Sequence, residues 1–202
     1  GPRPLATRAY FARLTQALVT ALTAPMSEGR LYEVDMRLRP SGRQGPVATS
    51  FEAFKDYQRT EAWTWEHLAL TRARAIVGDA SLLAEFAVFR HALLREKSHN
   101  SGIVADVIDM RRRLATAKPA NNGEDPKNGP GRLQDIALFA QAIALKSGSD
   151  AATISAQLES GVAAGLIDAA DAAELSRIAQ LWWNVQTASR LVNGERFEME
   201  SL

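Results

Sequence analysis

The sequence predicts an α+β chain that is mostly α, and three observations carry that expectation. Apolar residues recur at helical spacing through most of the 202 residues. One stretch, Leu31 to Arg39, changes to a period of two. One segment, Lys118 to Gly131, is too rich in Pro, Gly and Asn for either periodicity.

The first helix is read from Leu5 to Thr23, where Tyr10, Phe11, Leu14, Ala17, Leu18, Ala21 and Leu22 fall on one face. A turn at Pro25 to Gly29 ends it. In the stretch that follows, Tyr32, Val34, Met36 and Leu38 take one side of an expected strand, and Glu33, Asp35, Arg37 and Arg39 take the other. Pro40-Ser41-Gly42 and Gly45-Pro46 bracket a turn, and Val47 to Ser50 would return as the second arm of a β-hairpin. From Ser50, a good N-cap, the pattern is helical to the end. Helices are expected at about 51–60, 62–77, 81–96, 102–117, 132–147, 151–164 and 169–193. Asp168 and Asp171 form a capping-box-like start for the last of these. A break near Ala80 divides the expectation into two domains, residues 1–80 with the sheet and residues 81–202 as an α-helical bundle.

Composition restricts the functional classes. With 46% apolar residues the chain is able to bury a core without staples, and the absence of cysteine excludes disulfides and cysteine-ligated zinc. No apolar run approaches the roughly 18 residues of a membrane span, which points to a cytoplasmic protein with no membrane partner. A formal charge of +1 gives no global field for nucleic acid, so anion binding would have to be local. Gly1 is followed almost at once by an amphipathic pattern, with neither an initiator methionine nor a leader. The chain therefore reads as a piece of a longer one, with Gly-Pro either native or left from cloning.

The alternation of Glu33, Asp35, Arg37 and Arg39 puts carboxylates and guanidiniums about 7 Å apart along one strand face. Such a row suits Mg²⁺ and a polyphosphate: the hard cation takes carboxylate oxygens and substrate phosphates, and Arg forks take phosphate oxygens in pairs. The same alternation is also the ordinary pattern of an antiparallel strand with one wet face. The spacing by itself leaves both readings open.

The wording of the segment is more specific. Tyr32-Glu33-Val34-Asp35-Met36-Arg37-Leu38-Arg39-Pro40-Ser41-Gly42 resembles the signature of the glutamine synthetase adenylyltransferases. Glu61-Ala62-Trp63-Thr64-Trp65-Glu66-His67 with Ala69-Leu70-Thr71-Arg72-Ala73-Arg74 is similar to the Trp-Glu-His helix of that family. Gly129-Pro130-Gly131-Arg132-Leu133-Gln134-Asp135-Ile136 resembles a Gly-rich motif of its helical domain. The three blocks stand in the family order, and the likeness spans about Arg3 to Leu145.

The resemblance implies a partial nucleotidyltransferase sheet of the DNA polymerase β type with flanking helices, followed by the helical bundle. It implies an enzyme that moves AMP from ATP to a tyrosine of glutamine synthetase, with Mg²⁺ as cofactor and with glutamine synthetase and the signalling protein PII as partners. Asp35 would be a catalytic, metal-binding carboxylate, and Arg37 and Arg39 would contact the nucleotide. The other two carboxylates of that superfamily follow a Gly-Ser turn as Asp-x-Asp, which this sequence lacks ahead of Asp35, so the chain alone is expected to be inactive. The doubled tryptophan of Trp63-Thr64-Trp65 is like the adenylylating C-terminal half. The deadenylylating half, or a non-catalytic module that binds glutamine synthetase or PII, are the alternatives. The family motif carries a second acid where this chain has Ala137.

The remaining candidates read mostly as structure. Trp63 and Trp65 are expected to anchor their helix against the sheet. His67 is expected to be structural rather than a general base. Arg72 and Arg74 suit either phosphate or a helix C-terminus. Arg111, Arg112, Arg113 and Lys118 are expected on a solvated face. The turn at Gly129-Pro130-Gly131 suits an anion or a plain helix start. Trp182-Trp183 is expected in the bundle core.

Overall fold

The computed structural model describes residues 6–27, 29–30, 32–36, 38–119 and 125–193. The chain forms two compact units, Gly1–Ala62 and Trp63–Leu202.

The first unit contains helix α1 (Thr7–Thr23), strands β1 (Pro25–Met26) and β2 (Gly29–Arg30) and helix α2 (Phe51–Thr60). The two strands pair antiparallel, with Pro25 opposite Arg30. Helix α2 starts where expected, because the Ser50 side chain accepts the Ala53 N–H at 3.2 Å. Its first turn is covered by Phe51 stacked on Phe54, with the Lys55 ammonium over the Phe51 ring.

Over the described part of 31–39 the expected strand does not form. Residues 32–36 have no regular secondary structure, 38–41 form turns, and Gly42–Gln44 make a short 3₁₀ turn, so among the described residues neither the strand nor a hairpin with 47–50 is present. A strand needs a ladder partner for its N–H and C=O groups, and among the described residues no segment pairs with 32–36. The alternation survives without the ladder: Glu33 and Asp35 are exposed, and Val34 and Met36 are half-buried. Tyr32 and Leu38 do not share that inner side and remain exposed.

The second unit is helical: α3 (Thr64–Thr71), α4 (Ala80–Lys97), α5 (Ile103–Ala117), α6 (Leu133–Ser147), α7 (Ile154–Ala163) and α8 (Ala169–Asn193). Helix α6 is its axis and touches α3, α4, α5, α7 and α8. Its sequence explains the position: Leu133, Ile136, Leu138, Ala140, Ile143, Ala144 and Leu145 are apolar on nearly all sides and are buried. Leu68, Leu94, Ile103, Leu138 and Leu145 close one core against it, and Ala140, Leu158 and Ala172 another. The helix stops at Gly148, whose φ of 67° suits glycine, and the Ser149 N–H returns to the Ala144 carbonyl.

Helix α3 is shorter than the expected 62–77. Its last carbonyls are taken from the side: Arg90 Nε donates to Leu70 O at 2.8 Å, and Arg90 Nη2 donates to Thr71 O. Arg90 Nη1 donates in addition to Asp150 O at 2.8 Å. The Thr71 hydroxyl is fully buried and accepts from Gln157 Nε2 at 3.2 Å. Burial pushes the Arg90 guanidinium below its ordinary pKa, and the nearby Asp150 opposes that shift.

Candidate functional site

The signature segment is organised by one arginine and one turn. Arg39 Nη1 donates to Met36 O at 2.6 Å and Arg39 Nε donates to Gly45 O at 3.2 Å, so the guanidinium closes the loop from Met36 to Gly45. Ser41 sits in the left-handed region at φ 59° and Gly42 follows at φ 53°. Gly45 is required for a steric reason, since a Cβ there would lie 1.9 Å from the Pro40 carbonyl oxygen. Pro40-Ser41-Gly42 and Gly45 were legible as a turn, but the turn re-aims the chain instead of joining two strands.

Asp35 immediately precedes this loop and has an exposed side chain between half-buried Val34 and Met36. Glu33 is turned toward Arg30, 3.5 Å away. Arg37 lies outside the described residues. The expected row of four polar side chains on one strand face is therefore replaced by an exposed carboxylate beside an arginine-clamped turn.

Among the described residues no group of three His, Cys, Asp or Glu side chains converges as a metal site. Asp35 and Glu33 alone do not make one, because a cation that dehydrates reluctantly needs more than one fixed carboxylate when no phosphate is present. The described residues thus do not fit a self-sufficient Mg²⁺ site.

The Trp-Glu-His block contributes packing on the side opposite to the expected one. Glu66, His67, Leu68, Leu70 and Thr71 are buried, whereas Trp63 is 71% exposed and Trp65 40%. The tryptophans do not anchor the helix. Glu66 does so at its start, where a carboxylate oxygen accepts the Trp63 N–H at 3.0 Å. Arg72 and Arg74 follow the end of α3 and are exposed.

The Gly-rich block forms the start of α6. Asp135 accepts two hydrogen bonds from Arg111, both at 2.6 Å, and one from the Gly131 N–H at 3.0 Å. The Arg111 hydrogen bonds hold the Asp135 carboxyl below its ordinary pKa against a partial desolvation. Arg113 pairs with Asp109 in the solvent at 2.7 Å. Ala137 is half-buried within α6. The tryptophan pair splits: Trp182 packs on the Leu133, Ile136 and Ala179 cluster with Arg132 5.5 Å from its ring, and Trp183 is exposed.

Arg90 and Gln157 were not among the residues the sequence singled out. A signal for Arg90 exists, since it falls on the apolar stripe of α4 between Phe89 and Leu93. An arginine there has to be hydrogen-bonded. Gln157 carries no comparable local signal, because its partner Thr71 is distant in the sequence.

Comparison with known proteins agrees with these blocks. Residues 1–88 match the family model described as glutamate-ammonia ligase adenylyltransferase. A protein of Mesorhizobium japonicum named bifunctional glutamine synthetase adenylyltransferase/adenylyl-removing enzyme is 42% identical over 100% of this chain. Proteins with the same name from Rhizobium meliloti and Agrobacterium fabrum are 54% and 51% identical over 72% of it. The class is thus that of adenylyltransferases, and the chain belongs to the glutamine synthetase adenylyltransferase family. It spans 21% of the length of the Mesorhizobium protein and 15% of the other two. Among the described residues no helix is long and apolar enough to cross a membrane.

Proposed function

We infer that this chain is part of a cytoplasmic enzyme that transfers AMP from ATP to a tyrosine of glutamine synthetase. The observation that carries the reading is the exposed Asp35 beside the arginine-clamped loop, within a segment that has the family wording from Tyr32 to Gly42. In the reaction the tyrosine oxygen forms a bond to the α-phosphorus, the bond from that phosphorus to the β-phosphate oxygen breaks, and pyrophosphate leaves. The hydroxyl proton passes to a base outside the groups identified above. Such a transfer depends on positioning and on charge placed around the phosphates. Asp35 supplies the anionic group of the signature as one member of a metal-binding carboxylate set. Arg37 and Arg39 supply positive charge for the nucleotide, and the two Arg39 bonds keep the loop in one conformation while they do so.

The adenylylating, C-terminal half is favoured over the AMP-removing half by the doubled tryptophan of Trp63-Thr64-Trp65. Glutamine synthetase is the protein substrate of this reading and a PII-type signalling protein its regulatory partner.

The test is transfer of labelled AMP to glutamine synthetase by the full-length enzyme and its Asp35→Asn variant. The expected result is a fall in kcat of about a hundredfold or more, the scale of losing one charge-stabilising group at a transition state. Turnover within a few-fold of the unaltered enzyme would return Asp35 to an ordinary surface role. Release of ADP from phosphate and adenylylated glutamine synthetase, with no forward transfer, would assign the segment to the removing half.

A further inference from the structure

The second unit carries an apolar groove of about 660 Å³ along one side of α6. Asp135, Phe139, Ala142, Ile143 and Lys146 recur at i, i+4, i+7, i+8 and i+11 and form its floor. Val107, Ile108 and Arg111 of α5 make one wall, and Leu166 and Leu175 line the other side from the α7–α8 turn and α8. Phe139, Ile108, Leu166 and Val104 at the start of α5 are each at least 41% exposed in it. Large apolar side chains gathered in one concavity mark an interaction site, which scattered ones do not.

Shape and chemistry select among the occupants. From Asp135 to Lys146 the floor is about 16 Å long at roughly 1.5 Å per residue, or three turns of helix. A helix with apolar residues at matching spacing lays one face into such a groove. The charged groups of the lining are engaged within the chain: Arg111 and Asp135 neutralise each other through two 2.6 Å hydrogen bonds, and Lys146 donates to Ser98 O at 3.4 Å. That leaves few placed polar groups to orient a small ligand. A concave surface does not complement itself, so two copies of the groove do not close as a two-fold pair. An aliphatic lining has the character of a permanent contact, whereas transient partners meet more polar surface. A permanent partner is at hand in the same polypeptide: this chain spans 21% of the Mesorhizobium relative, and a tethered segment is held at high effective concentration.

We propose that the groove between α5 and α6 docks an amphipathic helix from another part of the same enzyme, so that the second unit seats a further domain. The inference rests on membership of the family and not on the AMP-transfer reading, since no residue of the signature segment lines the groove.

The experiment is photo-crosslinking in the full-length enzyme, with Phe139 replaced by p-benzoylphenylalanine and the product mapped by peptide mass spectrometry. The expected product is an intrachain crosslink to a helical stretch outside these 202 residues, at a yield at least fivefold above that from the same probe at Val88, which is 70% exposed on α4 and does not line the groove. A probe at Val104 should reach the same stretch, which keeps the test open if the first variant folds poorly. Ile108→Glu places a carboxylate in the wall and should lower the yield at 139 at least fivefold, with circular dichroism unchanged. Crosslinks to a second copy or to glutamine synthetase, a yield no higher than at Val88, or a yield unaffected by Ile108→Glu would overturn the proposal. None of these outcomes depends on turnover, so they are separate from the fate of Asp35.

Discussion

Both units contain helices with apolar residues at helical spacing and use them differently. In α1, Tyr10, Phe11, Leu14 and Leu18 form an apolar stripe at helical spacing, and each is at least half exposed. In α6, apolar residues are buried on nearly every side. All buried hydrophobic residues among those described lie beyond Trp63, and in the first unit the buried residue is the polar Gln58. Helical periodicity therefore forecasts a helix without forecasting what covers it. Most helical stability comes from packing of the apolar face, so the second unit holds its own core and the first holds mainly local structure. The signature loop belongs to the weakly packed unit, where local opening is expected to cost least.

The contrast makes its largest prediction in the core. Leu94 is fully buried among Leu68, Ile103, Leu138 and Leu145. Leu94→Ala is expected to cost about 2–5 kcal/mol, from lost transfer energy and the cavity left behind. Urea unfolding of the chain measures it, and a cost below about 1 kcal/mol would mean that this core is loosely packed and the two units are alike.

Gly161→Ala probes the same core from the opposite direction. A Cβ at 161 would stand 2.3 Å from Ile143 Cγ2 and 3.0 Å from Ile167 Cγ2. Overpacking of this kind costs about 1–3 kcal/mol, which the helix propensity of alanine offsets by less than about 1. Net destabilisation is expected in the unfolding midpoint. A stabilised variant would show that α6 and α7 have room to separate.

Acid sharpens the comparison next. The folded pKa of Asp135 is depressed, chiefly by the Arg111 hydrogen bonds, so its contribution is fully present above the ordinary carboxylate value of 3.8. That contribution is lost as pH falls through this value and on through the lower folded pKa. Asp135→Asn should cost roughly 1 kcal/mol at neutral pH, less at high salt, because the Arg111 side is 56% exposed. As pH falls below the depressed folded pKa, the variant and the original chain should converge. A constant difference from pH 7 to 2, read by thermal melting, would assign the loss to packing.

The sequence disclosed the two units unequally for the same physical reason. Helices over 51–60, 103–117, 133–147 and 169–193 were legible within a residue or so, because spacing and caps such as Ser50 are local. The polar and apolar alternation at 33–36 was legible too, but pairing is a long-range property that alternation does not encode. The exposed Trp63 and the buried Thr71 reversed the expected face of α3, since Arg90 and Gln157 reach it from distant positions. Within the candidate site the sequence disclosed the exposed side of Asp35 and the turn glycines, and it missed that Arg39 spends two of its donors on the loop itself.

The smallest effect is the most discriminating. Leu18 has the helical spacing of a core residue but is 55% exposed in this chain. If packing rather than pattern sets stability, Leu18→Ala removes little buried area and replaces leucine with the best helix former, so the two changes nearly cancel. The expected shift is within about 0.5 kcal/mol of zero. Leu158→Ala, at a position of the same residue type with no exposure, provides the matched control and should cost several times more. Measured side by side in urea, a cost at Leu18 approaching that at Leu158 would mean that the α1 stripe is covered in solution. The contrast between the two units would then be one of partner and not of core.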